Sequence, residues 1–276
     1  MTGIKPTITS EEDLHNLEYM EDADLVLFMA GNQFMAMDEL VNAFQQDYPE
    51  VKKIFYETLP PRLMLNQILH DGALFEGKVI TGHPDIYSAV KESSMETLKD
   101  KGLINDYFIY LHNRIVLVVP GDNPAGIKTV TDLQREDVRI SQPSPDTEDI
   151  AHHIIEMYRQ AGGDELVKRI MEEKRSEGTT IFTVVHHRET PLRLRKKTVD
   201  VGPVWATEVI EAKEKGQKVD MIDPGRELDQ RSNISYYIAG LNNSSNPKNA
   251  RKFMSFIKGR KAQHIYSRYG FVPHFE

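Results

Sequence analysis

The sequence predicts an α/β protein built in two lobes, and three observations carry that expectation. Apolar runs of strand length alternate with segments of helical spacing from Leu25 onward. The chain has 276 residues, more than one hydrophobic core usually serves and fewer than three domains need. Near the middle, the β-branched run Asn113 to Pro120 is long enough to start in one lobe and finish in the next.

The elements follow in order. Leu25 to Met29 (LVLFM) is a continuous apolar run, the mark of a strand buried on both faces, and it ends in the small-residue loop Ala30-Gly31-Asn32-Gln33. Phe34 to Tyr48 places Met37, Leu40, Val41 and Phe44 at helical spacing before Pro49. Val51 to Tyr56 reads as a second strand, Thr58 to Pro61 as a loop and Arg62 to His70 as a second helix, so the strand-helix unit repeats. Ile86-Tyr87 is a short strand and Ser93 to Lys101 a helix. After the run to Pro120 and the turn cluster Gly121 to Pro124, Val138 to Ser141 is a strand. A helix from Glu148 to Ala161 stops at Gly162-Gly163, and Leu166 to Lys174 is another. Thr190-Pro191 opens a helix to Lys197, Val199 to Trp205 is a strand and Ala206 to Lys215 a helix. Ile234 to Ala239 is a late strand, Pro247 to Lys258 a helix, and Tyr266 to Phe271 lies at the end. This alternation predicts layered lobes with mostly parallel sheets.

Apolar residues at 39% and charged residues at 28% place the chain among folded globular proteins rather than disordered ones. Net charge is −8, and no Lys/Arg run is dense enough to attract a phosphate backbone or an acidic membrane, apart from Arg193, Arg195, Lys196 and Lys197. Nucleic acid is therefore not expected as a partner. The absence of cysteine excludes disulfides, thiolate metal sites and cysteine nucleophiles. The polar, acidic start MTGIKPTITSEEDLHNLEYMEDADL has no secretory leader pattern, and no segment reads as a membrane span. The chain is then either cytoplasmic or a mature extracytoplasmic form whose leader gave way to Met1. No G-x-S-x-G elbow, P-loop or G-x-G-x-x-G cradle occurs, and no carboxylate spacing selects an acid/base pair, so neither an enzyme nor a resident cofactor is expected.

The pieces LVLFMAGNQF, YETLPPRLMLNQIL, HPDIYSA, NRIVLVVPGDNPAGIKTVTDL, ISQPSPDTEDIAHH and SRYGFVP, in this order, resemble the periplasmic molybdate-binding protein family of ABC importers. The segment from Thr179 to Ile210 resembles a ModA-like subgroup of substrate-binding proteins. The resemblance implies the type II periplasmic-binding-protein fold: two three-layer α/β lobes joined by a two-crossover hinge. It implies a discontinuous first lobe of residues 1–113 plus 231–276 and a second of 114–230. It further implies a monomeric Venus-flytrap receptor that captures a small anion in the interdomain cleft, a permease partner and a periplasmic location. A cytosolic anion sensor on the same fold is the alternative.

In parallel sheets a ligand sits outside the carboxyl ends of the strands, where helix N-termini present free N–H groups to an anion. That selects Gly31, Asn32, Gln33, Thr58 and Arg62 in the first lobe. In the second it selects Asp146, Thr147, His187, Arg188, Thr190 and Trp205. The molybdate family uses a serine in each of the first two loops. Asn32 and Pro60-Pro61-Arg62 depart from it, and Arg62 suits a carboxylate or phosphate gripped at two points. Each residue also has a plainer reading. Arg62 is an exposed helix start, Asp146 and Thr147 cap a helix, Thr190 is an N-cap before Pro191, and the single Trp205 is core. A metal-binding receptor using His186, His187 and Glu189 is a further alternative. Adjacent histidines in an extended segment point to opposite faces, however, so no metal site is expected.

Overall fold

Residues 4–9, 11–146, 148, 150–183 and 189–275 are described in the computed structural model. In chain order the strands and helices are β1 (Leu14–His15), β2 (Leu25–Phe28), α1 (Phe34–Asp47), β3 (Ile54–Glu57), α2 (Pro61–Leu69), the hairpin β4 (Ala73–Phe75) and β5 (Lys78–Ile80), β6 (Ile86–Ala89), α3 (Glu92–Asp100), β7 (Phe108–His112), β8 (Ile115–Pro120), β9 (Ile140–Gln142) and α4 (Ile150–Lys168). A wider-wound segment, Arg169–Glu173, leads from α4 into α5 (Lys174–Ser176). Then come β10 (Thr180–Phe182), α6 (Glu189–Arg195), β11 (Gly202–Trp205), α7 (Ala206–Glu214), β12 (Val219–Ile222), β13 (Ser235–Gly240), α8 (Pro247–Lys258), α9 (Arg260–Arg268) and β14 (Val272–Pro273).

The chain divides into two compact units. One comprises residues 1–111, 235–268 and 273–276, the other 112–234 and 269–272.

The first unit is organised on a sheet of order β1-β3-β2-β6-β13-β7-β14. The strand LVLF of β2 is buried at all four positions because it lies inside this sheet, parallel to β3 and β6. Phe28 pairs with both Glu57 and Tyr87, so β2 and β3 end level, β6 runs two residues further to Ala89, and all three open their following loops toward one edge. One face carries an apolar cluster that includes Phe55, Met64, Met95 and Leu98 from β3, α2 and α3. Phe44 of α1 meets Phe253 and Phe256 of α8 edge-on, with ring centroids at 5.1 and 5.5 Å. Asp85, 1% exposed, ties the other end of the sheet. Its carboxylate accepts from Val26 N (2.7 Å), Ser244 Oγ (2.6 Å), Asn246 N (2.9 Å) and Asn246 Nδ2 (3.2 Å).

In the second unit β8 lies between β11 and β12, antiparallel to both, while β9 and β10 run parallel. An isolated bridge from Ile140 to Val201 connects the two groups. Val116, Val118, Leu194, Val204 and Val209 form the apolar cluster beneath α6 and α7. Lys174 is fully buried, and its ammonium donates to the carbonyls of Arg135 and Val138. Burial lowers its pKa from the usual lysine range.

Several expectations are corrected. The sheets are mixed rather than mostly parallel, since β1, β13, β11 and β12 all pair antiparallel. The run Asn113 to Pro120 does hold a continuous strand, β8, but that strand lies wholly in the second unit rather than starting in one lobe and finishing in the next. β7 ends at His112 and β8 begins at Ile115, because the buried Asn113 turns its Oδ1 back onto Arg114 N (2.8 Å), an alternative to ladder bonding. Gly162-Gly163 does break the helical geometry, with Gly163 at φ 70°, although the segment continues as one element to Lys168. No described helix is long and apolar enough to cross a membrane.

Candidate functional site

Two loops meet at the carboxyl edge of the first unit's sheet. Gly31 follows β2, and a Cβ there would lie 2.5 Å from Thr58 O and 3.1 Å from Leu59 O. Only glycine permits this approach, so the loops after β2 and β3 run backbone against backbone. Met29 N donating to Glu57 O (2.9 Å) reinforces the contact.

The five first-unit candidates have different fates. Gln33 is fully buried, and its Nε2 donates to Ser88 Oγ (3.2 Å). Its Oε1 accepts from the hydroxyls of Tyr110 (2.8 Å) and Tyr266 (2.7 Å). Ser88 Oγ and Tyr110 hydroxyl close the ring at 2.8 Å. Burial pushes both phenols well above the ordinary tyrosine range, so they remain donors. The Gln33 side chain is therefore engaged internally.

Thr58 is 1% exposed. Its hydroxyl donates to Asp13 Oδ1 (3.3 Å) and contacts His15 Nε2 (3.1 Å), while its N–H donates to Asp13 O (3.0 Å). Reading the N-terminal residues as a featureless polar leader missed these partners. β1 in fact pairs with β3, and the His15 ring stacks on Tyr56 at 4.2 Å. Burial lowers the His15 pKa, with Asp38 and Asp13 pulling it back up.

Asn32 and Arg62 remain. Asn32 is partly buried and donates from Nδ2 to the Tyr236 hydroxyl, while its Oδ1 is buried with no hydrogen-bond partner among the described residues. The two amide ends are near-identical in shape, so one polar atom of Asn32 stays unsatisfied whichever way the amide sits. Arg62 is exposed in the first turn of α2 and makes no hydrogen bond or ion pair among the described residues. Pro60 and Pro61 precede it and lack N–H groups, so this helix start has fewer backbone donors than usual and its side chain is the main source of positive charge.

At the end of β3, just before this loop, sits Glu57, fully buried, with Oε1 accepting from Gln67 Nε2 (2.8 Å) and Oε2 without a partner among the described residues. Burial pushes its carboxyl up to about 8, only partly offset by the Gln67 hydrogen bond. The folded chain therefore holds this proton where the unfolded chain releases it. The associated stability is fully present below about pH 4.5 and is lost as pH rises through about 8. Urea titrations of Glu57→Gln against the native chain are expected to show the variant gaining relative stability as pH rises across that window. A pH-independent difference would show that Glu57 is ionised throughout.

In the second unit, Thr190 is fully buried, with Oγ1 2.8 Å from Ser141 Oγ and its methyl where a Gly202 Cβ would otherwise lie. Arg193 donates to Ser141 Oγ (3.1 Å) and to Glu189 Oε2 (2.8 Å). Thr190 thus packs among β9, β11 and α6. Trp205 is 5% exposed at the end of β11. Asp146 is exposed, and its N–H donates to Ser144 Oγ (3.3 Å). Ser144 is nearly buried. Its N–H is shared between Thr183 Oγ1 (3.2 Å) and Glu148 Oε1 (3.4 Å), and Thr183 also donates to Glu148. Thr147, His186, His187 and Arg188 lie outside the described residues. Among the described residues no group of three or more His, Asp or Glu is arranged to hold a metal ion.

Comparison with known proteins identifies the fold and the family. Residues 25–272 match the family described as bacterial extracellular solute-binding protein. The sulfate-binding protein of Synechococcus elongatus is 24% identical over 255 residues, covering 84% of this chain and 69% of that protein. Two solved structures share the fold. The sulfate-binding protein of Mycobacterium tuberculosis has TM-score 0.70 and 18% identity, covering 90% of this chain and 86% of that one. The periplasmic molybdate-binding protein of Azotobacter vinelandii has TM-score 0.67 and 15% identity, covering 90% and 98%. The fold is thus the type II periplasmic-binding-protein fold, and the chain belongs to the bacterial extracellular solute-binding protein family.

Proposed function

We propose that this protein is the extracytoplasmic receptor of an ABC importer, that it binds a small anion without chemical turnover, and that Arg62 contacts the anion. The carrying observation is Arg62 itself, an exposed guanidinium without a carboxylate partner among the described residues, in the first turn of the helix that follows β3 at the carboxyl edge of a parallel strand set. The Synechococcus, Mycobacterium and Azotobacter relatives are named for sulfate and molybdate, which supports an oxyanion as the ligand class. Within that class, replacement of serine by Asn32 and of backbone donors by Pro60-Pro61-Arg62 favours an anion bearing a carboxylate or phosphate. A planar fork grips such a group at two points.

The test is thermal unfolding against molybdate, tungstate, sulfate, phosphate and small carboxylic and phosphorylated acids. A ligand bound only by the folded chain adds about 2.7 kcal/mol at a hundredfold excess over Kd. One class of anion is expected to raise the midpoint, and Arg62→Ala is expected to weaken that ligand roughly 10- to 100-fold, the loss of a charge-assisted contact. A panel in which no anion moves the midpoint would sink the reading. An anion response unchanged in Arg62→Ala would keep the receptor but remove Arg62 from it.

A further inference from the structure

The C-terminal helices carry a charge distribution unlike the rest of the chain. Residues 247–268 hold seven of its 34 Lys and Arg residues and none of its 42 Asp and Glu residues. In α8 the basic residues Lys248, Arg251, Lys252 and Lys258 recur at helical spacing on the side opposite Ala250, Phe253, Phe256 and Ile257, which are buried. In α9 the exposed Arg260, Lys261, His264 and Arg268 lie opposite the buried Ala262, Gln263, Ile265 and Tyr266. The two helices pack on one another, so their outward faces adjoin. Because the cations come singly or in pairs, separated mostly by apolar and small residues, the sequence shows no basic run.

Part of this charge is answered locally. Lys252 pairs with Glu50, Lys261 with Asp47 (2.8 Å) and Arg268 with Glu39, all at partly exposed positions where such pairs are weak and screened by salt. The Lys258 ammonium rests 3.8 Å from the Phe108 ring centroid. Lys248, Arg251 and Arg260 are exposed and form no ion pair among the described residues.

From this we infer that the outward face of α8 and α9 is a docking surface for a membrane rich in anionic lipid headgroups. Two features favour lipid over a protein partner. None of the large exposed apolar side chains belongs to these helices, whereas protein interfaces depend on buried aromatic and aliphatic anchors. Helical faces of spaced cations match a diffuse layer of phosphates, which requires charge but no shaped pocket. Adsorption of this kind holds the protein at the surface without inserting it.

The test is co-sedimentation of the full chain with vesicles of phosphatidylcholine alone or of phosphatidylcholine containing phosphatidylglycerol, at low and high salt. Binding is expected only to the anionic vesicles and is expected to vanish with added salt. Lys248→Glu/Arg251→Glu/Arg260→Glu, with far-UV spectrum and melting unchanged, is expected to bind at least roughly a hundredfold more weakly. The control Lys101→Glu/Lys128→Glu/Lys218→Glu, with the same net charge change elsewhere, is expected to bind like the native chain. Failure of the native chain to sediment with anionic vesicles would overturn the proposal in favour of a protein partner or a merely solvated face. Equal losses in both variants would overturn it in favour of overall charge.

Discussion

Replacing Asp85 by Ala is expected to cost about 4 kcal/mol, read as a lowered urea midpoint of the first unit, with no direct effect on the Arg62 loop. The carboxylate accepts from Val26 N, Ser244 Oγ and both the N–H and Nδ2 of Asn246, joining the start of β2 to the entry of α8. Removing it leaves several buried or half-buried donors unsatisfied, at about 1–3 kcal/mol each, with some recovery through water. Asp85→Asn is not expected to rescue. Its amide would turn an NH2 group toward one set of donors, setting N–H against N–H. A variant within about 0.5 kcal/mol of the native chain would mean that water replaces the carboxylate without loss.

Gln33→Leu is expected to cost about 3 kcal/mol and to alter the proposed ligand loop as well. The substitution keeps the volume close but withdraws the acceptor from two phenols, Tyr110 and Tyr266, that are fully buried and remain protonated. Gln33 lies one residue after Asn32 and two after Gly31, so loss of its ring of hydrogen bonds removes the anchor of the loop. Ligand affinity, measured by calorimetry on the folded fraction, is expected to fall together with stability. Stability that falls while affinity holds would separate the buried ring from the loop. The partial rescue variant is Gln33→Glu at low pH, where a protonated carboxyl still accepts from both phenols.

How far the sequence could be read depended on where each element's partners lie. β2, α1 and α8 were legible because their apolar residues follow a strand or helix period without interruption; α8 was read with the bounds it has. α9 was not, because its inward face includes Gln263, whose Oε1 accepts from His274 N (3.0 Å) and whose Nε2 donates to Ile257 O (2.8 Å). A glutamine core position breaks the apolar pattern. β7 and the β4–β5 hairpin were missed because FIYLH, ALF and KVI are too short or too mixed to show alternation.

The loop positions at Gly31, Asn32 and Arg62 followed from strand-to-helix grammar. Gln33 carries the same residue-type signal as a ligand donor. Its partners Ser88, Tyr110 and Tyr266 lie 55, 77 and 233 residues away, beyond any local pattern. Thr58 is similar, since Asp13 and His15 come from a segment whose polar composition conceals a two-residue strand.

That short strand bears on the protein's solubility. β1 occupies the outer hydrogen-bonding edge of β3, and the acidic turn Glu11–Asp13 stands just before it. A two-residue strand flanked by carboxylates offers an incoming chain little to pair with, which is how natural sheets guard their margins. Trimmed to begin after Asn16, the protein would bare the apolar strand Ile54-Phe55-Tyr56 as a new margin. Its failure would then take the form of edge-to-edge self-association.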